Sequence, residues 1–210
     1  MKKKVLFFWM ICIIGTINAQ WIPINNGLPD YPPTSMCNWV DTMVVSTYGG
    51  GLYLTYDQGE NWQEMPGELP NLFVNKIHYQ GEQFDPIYVS TDAGPFISVN
   101  GNYIDCSGNG LDNSEISFFT KGNEGLANDA LVGTKTAGVY VADYTSPMNY
   151  DWYQANTGLS GDALNINGGL VGNGTAFLLT DGGFYKAMGD ETQWTATNGG
   201  LNGDALKVNS

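Results

Sequence analysis

Groups able to do chemistry are scarce in this chain. It has one histidine, His78, three cysteines, Cys12, Cys37 and Cys106, and no arginine. A Ser-His-Asp relay or a histidine-based metal site needs partners placed beside His78, and its neighbours Asn75, Lys76 and Ile77 mark none. They read instead as a strand. The cysteines lack metal-ligand spacing, and no glycine-rich loop leads into a helix to cradle phosphate. Carboxylates remain, 21 Asp and Glu in all. Paired acids can do general acid and base work, and four aspartates fall in loops that the pattern below places on one face: Asp30, Asp112, Asp162 and Asp204. Asp162 and Asp204 occupy matching places in a repeat, which points to a turn or cap role rather than a unique catalytic pair. The loop Asn109-Gly110-Leu111-Asp112-Asn113 offers oxygen ligands of the kind Ca²⁺ takes, without the spacing of an EF-hand or a nonapeptide calcium repeat. We therefore expect no catalytic residue, no bound metal and no other cofactor, with calcium as the one candidate ion. Asn173-Gly174-Thr175 is a glycosylation sequon in a eukaryotic secretory path and a plain turn otherwise.

The elements that must position these groups come from an internal repeat. Gly158-Leu-Ser-Gly-Asp-Ala-Leu-Asn-Ile-Asn167 returns as Gly200-Leu-Asn-Gly-Asp-Ala-Leu-Lys-Val-Asn209, 200 − 158 = 42 residues on, with seven of ten positions identical. Gly-Leu pairs at Gly27, Gly110, Gly158 and Gly200, with a looser Gly67-Glu68-Leu69, mark steps of 40, 43, 48 and 42 residues. A second marker, Gly51-Leu-Tyr53, Gly94-Pro-Phe96, Gly138-Val-Tyr140 and Gly183-Phe-Tyr185, keeps pace at 43, 44 and 45. Periods of this length mean a stacked or radial array. Within each unit the segments are short, β-branched or aromatic, and bounded by Gly, Asn and Asp. In the third unit they fall at Glu115–Phe119, Asp129–Gly133, Gly138–Asp143 and Asp151–Ala155. No sustained apolar 3.6-residue period appears, so helical solenoids are excluded. A large ring recurs near each fourth strand, at Trp21, Trp62, Tyr103, Trp152 and Trp194. Such a ring fills the wedge between neighbouring sheets.

The expectation is an all-β fold: a β-propeller of four-stranded antiparallel blades. Units run over about 36–66, 73–106, 115–155 and 163–197. A lone fourth strand at 21–24 and a lone first strand at 205–210 leave about four blades and an incomplete ring. Cys37 and Cys106 fall in different units, which leaves open either a bridge or two isolated thiols.

The ends and the charge set the compartment. Met1-Lys-Lys-Lys4 precedes an apolar run to Ile17, and Ala19 offers a small residue at a cleavage point. Residues 1–19 read as a signal peptide, too short in its apolar part to span a membrane. Export leads to a secreted, periplasmic or cell-surface location. Without residues 1–19 the charge is 5 − 21 = −16. That excludes nucleic acid and anionic membrane as partners, because no basic stripe can be assembled.

Thr55-Tyr-Asp57-Gln-Gly59-Glu-Asn-Trp62 fits Ser/Thr-x-Asp-x-Gly-x-x-Trp. It resembles the Asp-box, or bacterial neuraminidase repeat, of sialidase-like and sortilin-like propellers. The resemblance implies structural roles for Thr55, Asp57, Gly59 and Trp62, which clip the turn between strands three and four away from any reaction centre. Elsewhere the motif decays: Asp143 and Asp190 are displaced relative to Trp152 and Trp194. Sialidases hold a substrate carboxylate with arginines, so a chain with none departs from that activity. The reading is an exported, non-catalytic module that binds extracellular glycan or peptide and belongs to a longer chain. The alternative is a fragment of a secreted glycoside hydrolase of the kind that carries similar boxed repeats and uses paired acids.

Overall fold

The computed structural model describes residues 22–39, 41–79, 81, 86–111, 115–122, 130–146, 149–189 and 192–201. The signal peptide expected over 1–19 and the closing strand over 205–210 lie outside the described residues. Four antiparallel meanders account for the described chain, each pairing its strands in sequence order. The first blade holds β1 (Pro33–Trp39), β2 (Thr42–Thr47), β3 (Gly51–Thr55) and β4 (Gln63–Glu64). The second holds β5 (Val74–His78), β6 (Ile87–Thr91), β7 (Gly94–Val99) and β8 (Asn102–Asp105). The third holds β9 (Ile116–Lys121), β10 (Ala130–Thr134), β11 (Val139–Ser146) and β12 (Asn149–Gln154). The fourth holds β13 (Ile166–Gly172), β14 (Thr175–Thr180), β15 (Gly183–Met188) and β16 (Thr195–Ala196). This is the all-β propeller architecture that the repeat predicts. Among the described residues the one helical element is a 3-10 turn, Gly161–Leu164.

Local chemistry explains the hairpins. Asn100-Gly101 and Asn173-Gly174 each place two successive residues at positive φ (51° and 77°, 52° and 69°). They turn β7 into β8 and β13 into β14 through two-residue loops whose twist suits the strands. Polar residues Thr34, Asn75 and Asn167 fall where the pairing of a first strand with its second slips by one.

Packing runs from one blade to the next. First strands lie side by side, β1 against β5, β5 against β9, β9 against β13. Three buried clusters fill the wedges. Val44, Leu54, Ile77 and Val89 join blades one and two; Tyr88, Phe119, Val132 and Trp152 join two and three; Leu131, Ile166, Leu178 and Trp194 join three and four. Blades two and three are covered on both faces, and every residue of β6 and β10 is buried. In β14 the pattern alternates: Ala176, Leu178 and Thr180 are buried while Phe177 is exposed. No buried cluster joins blade four to blade one among the described residues, which form an open arc.

The large rings do what the sequence predicts and one thing more. Trp62, Trp152 and Trp194 are buried, and Tyr103 is partly so. Each indole N–H also donates to a carbonyl of the preceding unit: Trp62 to Ile24 (2.6 Å), Trp152 to Cys106 (2.9 Å), Trp194 to Ala155 (2.7 Å). The backbone N–H of each Trp donates to Asn26, Asn109 or Thr157, all at 2.8 Å. The next residue is the Gly of a Gly-Leu marker. A Cβ at Gly27, Gly110 or Gly158 would stand 2.1, 2.2 or 2.1 Å from the Trp carbonyl oxygen, and all three have positive φ. The marker is therefore a blade-to-blade clasp that admits only glycine.

Two expectations need correction. Residues 22–25 form no strand. A fourth strand needs a third strand of its own blade, and none precedes it among the described residues; this segment instead lends the Ile24 and Asn26 carbonyls to Trp62. The first unit also begins earlier than Met36, because β1 pairs with β2 from Pro33 onward.

Candidate functional site

In a four-strand meander the turn between strands two and three and the link from strand four to the next blade emerge at the same end. That end carries a repeated frame. The last residue of each second strand is a buried threonine: Thr47, Thr91, Thr134 and Thr180. Each hydroxyl donates across the turn to a glycine carbonyl: Gly51 (3.2 Å), Gly94 (2.8 Å), Gly138 (2.9 Å) and Gly183 (2.9 Å). The residue after each threonine donates its N–H to the segment entering the first strand: Tyr48 to Pro32, Asp92 to Phe73, Lys135 to Glu115, Asp181 to Asn165, all between 2.9 and 3.2 Å. The backbone is thus the same four times over. The side chains mounted on it are not: Pro32/Tyr48, Phe73/Asp92, Glu115/Lys135 and Asn165/Asp181.

The rim between blades one and two is aromatic. Tyr48 and Phe73 meet edge to face at 5.1 Å, and both are well exposed, as is Tyr31. Tyr31 lies over Gly49 and Gly50; a Cβ on either would stand 3.0 or 2.7 Å from its ring. The Tyr48 hydroxyl donates to Asp92 (2.5 Å), whose carboxylate keeps the phenol protonated to higher pH. Asn75 Nδ2 holds the other Asp92 oxygen (2.8 Å) and reaches the Ile116 carbonyl (3.0 Å), so one network ties three blades. Beside it a depression of about 330 Å³ is lined by Leu28, Pro29, Asp30, Tyr31, Pro33 and Thr47 among others. Farther round, Glu115 pairs with Lys135, and Asp181 accepts from Asn165 (3.1 Å) and Asn167 (2.8 Å).

Of the aspartates expected on this face, Asp30 lines the depression. Asp162 is exposed in the 3-10 turn of blade four, away from Asp30 in the arc. Asp112 and Asp204 lie outside the described residues. The two that are described, Asp30 and Asp162, are not brought together. Among the described residues no group of three or more His, Cys, Asp or Glu is placed to hold a metal. Cys37 and Cys106 are both free thiols, and burial pushes them up to about 11 and about 12.

Thr55–Trp62 folds into a closed turn at the opposite end of the sheet. Thr55 Oγ1 donates to Asp57 Oδ1 (2.7 Å) and accepts from the Gly59 N–H (3.0 Å). Asp57 accepts from the Asn61 backbone (2.9 Å) and side chain (2.8 Å). Donors from Asn61 and Thr55 lower its pKa to about 2. Gln58 and Gly59 carry positive φ. Thr55 and Asp57 thus bond within their own loop.

The threonine frame was missed in reading the sequence, although it was there to find. Thr47, Thr91, Thr134 and Thr180 each stand three or four residues before a marker glycine. The aromatic rim was not findable from spacing, since Tyr31, Tyr48 and Phe73 come from different turns.

No known family model matches the chain, and neither does any curated protein. Solved structures do share its fold. An ancestral GH74 enzyme superposes with a TM-score of 0.62 at 18% identity, covering 90% of this chain and 26% of that one. The extracellular domain of a hybrid two-component system, BT3049, from B. thetaiotaomicron gives 0.61 at 14%, covering 84% and 26%. That of BT4673 from the same organism gives 0.60 at 17%, covering 84% and 23%. The chain thus spans about a quarter of the length of these structures. At such identities the likeness is one of fold.

Proposed function

We propose that this chain is a blade array of an exported protein, presenting a recognition rim for an extracellular glycan and performing no catalysis of its own. One observation carries the reading. The four turn frames share backbone and buried threonine yet mount different side chains, so the fold is held constant while the surface diverges. Where blades one and two meet, the divergent positions give exposed rings beside a positioned carboxylate. Ring faces stack on sugar C–H groups, and Asp92 accepts from hydroxyls. An extended peptide is the alternative ligand for the same rim. The signal-peptide pattern read in residues 1–19 supports export, and no helix among the described residues is long and apolar enough to cross a membrane. Association with further blades of a longer chain fits the exposed Phe177 and Met188 on blade four. The Asp-box resemblance fits the closed turn at Thr55–Trp62.

The test is affinity electrophoresis against a panel of soluble polysaccharides. Retardation by at least one polymer, weakened roughly tenfold in Tyr48→Ala and Phe73→Ala, is the expected result. Retardation unchanged in both variants places the ligand elsewhere, and binding to peptides alone moves the ligand class. A hydrolase reading draws on the fold shared with the GH74 enzyme. Release of reducing ends by the full-length protein, abolished by Asp30→Asn or Asp92→Asn, would replace the non-catalytic reading.

A further inference from the structure

The first strands line the inner edge of the arc, and one position on them differs in every blade. The residue that resumes pairing after the slip is Ser35 in β1, Lys76 in β5, Phe118 in β9 and Gly168 in β13. Lys76 extends past β9 to blade four: a Cβ added at Gly168 would stand 2.6 Å from its Nζ. The absent side chain at 168 is what leaves the ammonium room. Lys76 is half-buried, and burial lowers its pKa. Its ammonium makes no hydrogen bond or ion pair with the described residues. Two residues along the same strand face, His78 is also partly buried and is pushed down by desolvation and then by Lys76. Ser117, on the strand between Lys76 and Gly168, is buried with its Oγ unpartnered. Its counterparts Thr34 and Asn75 give their side-chain donors to the next blade's Val74 and Ile116 carbonyls. A desolvated cation and an orphaned hydroxyl are each costly unless a partner arrives.

We propose that the inner-edge surface around Lys76, His78, Ser117 and the space over Gly168 is a binding site for one carboxylate, as carried by a uronic acid or a small organic acid. A single ammonium balances a single negative charge. The net charge of −13 keeps polyanions away. The site stands independently of the aromatic rim, which is built from other residues at the end of the sheets.

His78 is the only histidine, so its ring resonances report the site without assignment of the rest. The chain is titrated at constant ionic strength with sodium glucuronate, sodium acetate and methyl glucoside. Saturable His78 shifts with the acids and none with the neutral sugar are expected. Equal affinities assign the site to the carboxylate alone, and tighter glucuronate assigns it to a sugar acid. Lys76→Met should weaken binding by about tenfold or more, the scale of a charge-assisted hydrogen bond. Gly168→Asp puts a carboxylate against Lys76 from within, and should abolish binding while raising the melting temperature. Shifts that never saturate, that persist unchanged in Lys76→Met, or that survive in a folded Gly168→Asp overturn the proposal.

Discussion

Across the blades the outer clasp repeats and the inner strand does not. At the clasp, Trp62, Trp152 and Trp194 each send an indole N–H to the preceding unit over a glycine with positive φ. On the inner strand the matching position is Ser35, Lys76, Phe118 and Gly168, four residues with nothing chemical in common. A wedge between two sheets has one shape to fill, so a tryptophan fills it in blades one, three and four and Tyr103 in blade two. The inner-strand position has no such shared demand: Phe118 fills the core between blades three and four, whereas Ser35 and Lys76 are only partly buried and free to follow a ligand. Within one chain, invariance among repeats marks scaffold and divergence marks candidate function.

The contrast breaks most visibly at the clasp. Trp194→Ala removes a buried ring and leaves the Ala155 carbonyl unpaired; a loss of about 3–5 kcal/mol is expected in urea unfolding. The inner-strand variant Lys76→Met removes an unpaired, partly desolvated charge, and its stability should match or exceed that of the wild type. A Trp194→Ala loss no larger than that of an exposed substitution such as Tyr153→Ala would erase the distinction.

The two glycines of the repeated Gly158-Leu-Ser-Gly161 sharpen it. Both have positive φ, 93° and 56°. A Cβ at Gly158 meets the Trp194 carbonyl at 2.1 Å, whereas at Gly161 nothing lies within 4 Å. Gly161→Ala should cost only the left-handed backbone, about 1–2 kcal/mol. Gly158→Ala adds a backbone clash and should cost clearly more. Equal midpoints for the two variants in denaturant melts would show that the glycine is not part of the clasp.

How much of this was legible depends on whether a feature is local. The clasp tryptophans announced themselves by spacing. The third blade was readable strand by strand because turn residues bound each segment: expected Asp129–Gly133 is observed as β10, Ala130–Thr134. Tyr103 was read as the ring of its unit, and there Gly67 packs on the Gly101 carbonyl instead. The segment at 21–24 misled, because Trp21 keeps the repeat spacing while no strand for it to pair with precedes it among the described residues. The aromatic rim and Lys76 could not be read at all. Tyr48 meets Asp92 from 44 residues away, and Lys76 meets Gly168 two blades on. Such contacts depend on the fan angle between sheets, which no period in the sequence encodes.

The threonine frame should yield a smaller loss. Thr134→Val keeps shape and β preference and deletes one buried hydroxyl that bonds the Gly138 carbonyl and accepts from the Ala137 N–H. A cost of about 1 kcal/mol is expected for a neutral hydrogen bond. The substitution of its variable neighbour, Lys135→Ala, touches only an exposed ion pair and should cost less than about 1 kcal/mol. If Lys135→Ala proves the costlier of the two in thermal melts, the division between frame and surface is misplaced.

The smallest effect is a matter of pH. Asp57 has its pKa lowered from 3.8 to about 2 by Asn61 and Thr55 donors. A group with a depressed folded pKa binds its proton more readily in the unfolded chain, so acid favours unfolding. Its contribution is complete above the unfolded value, shrinks as pH falls through 3.8, and is gone below about 2. Asp57→Asn removes the titrating group but keeps one acceptor oxygen for the turn. Wild type and variant should differ by a constant margin near neutrality, converge between pH 4 and pH 2, and coincide in stronger acid. The margin is small because Asp57 is exposed and solvent screens it. Parallel curves through that window would mean that the turn holds its shape by the glycine and the buried tryptophan, with the carboxylate an onlooker.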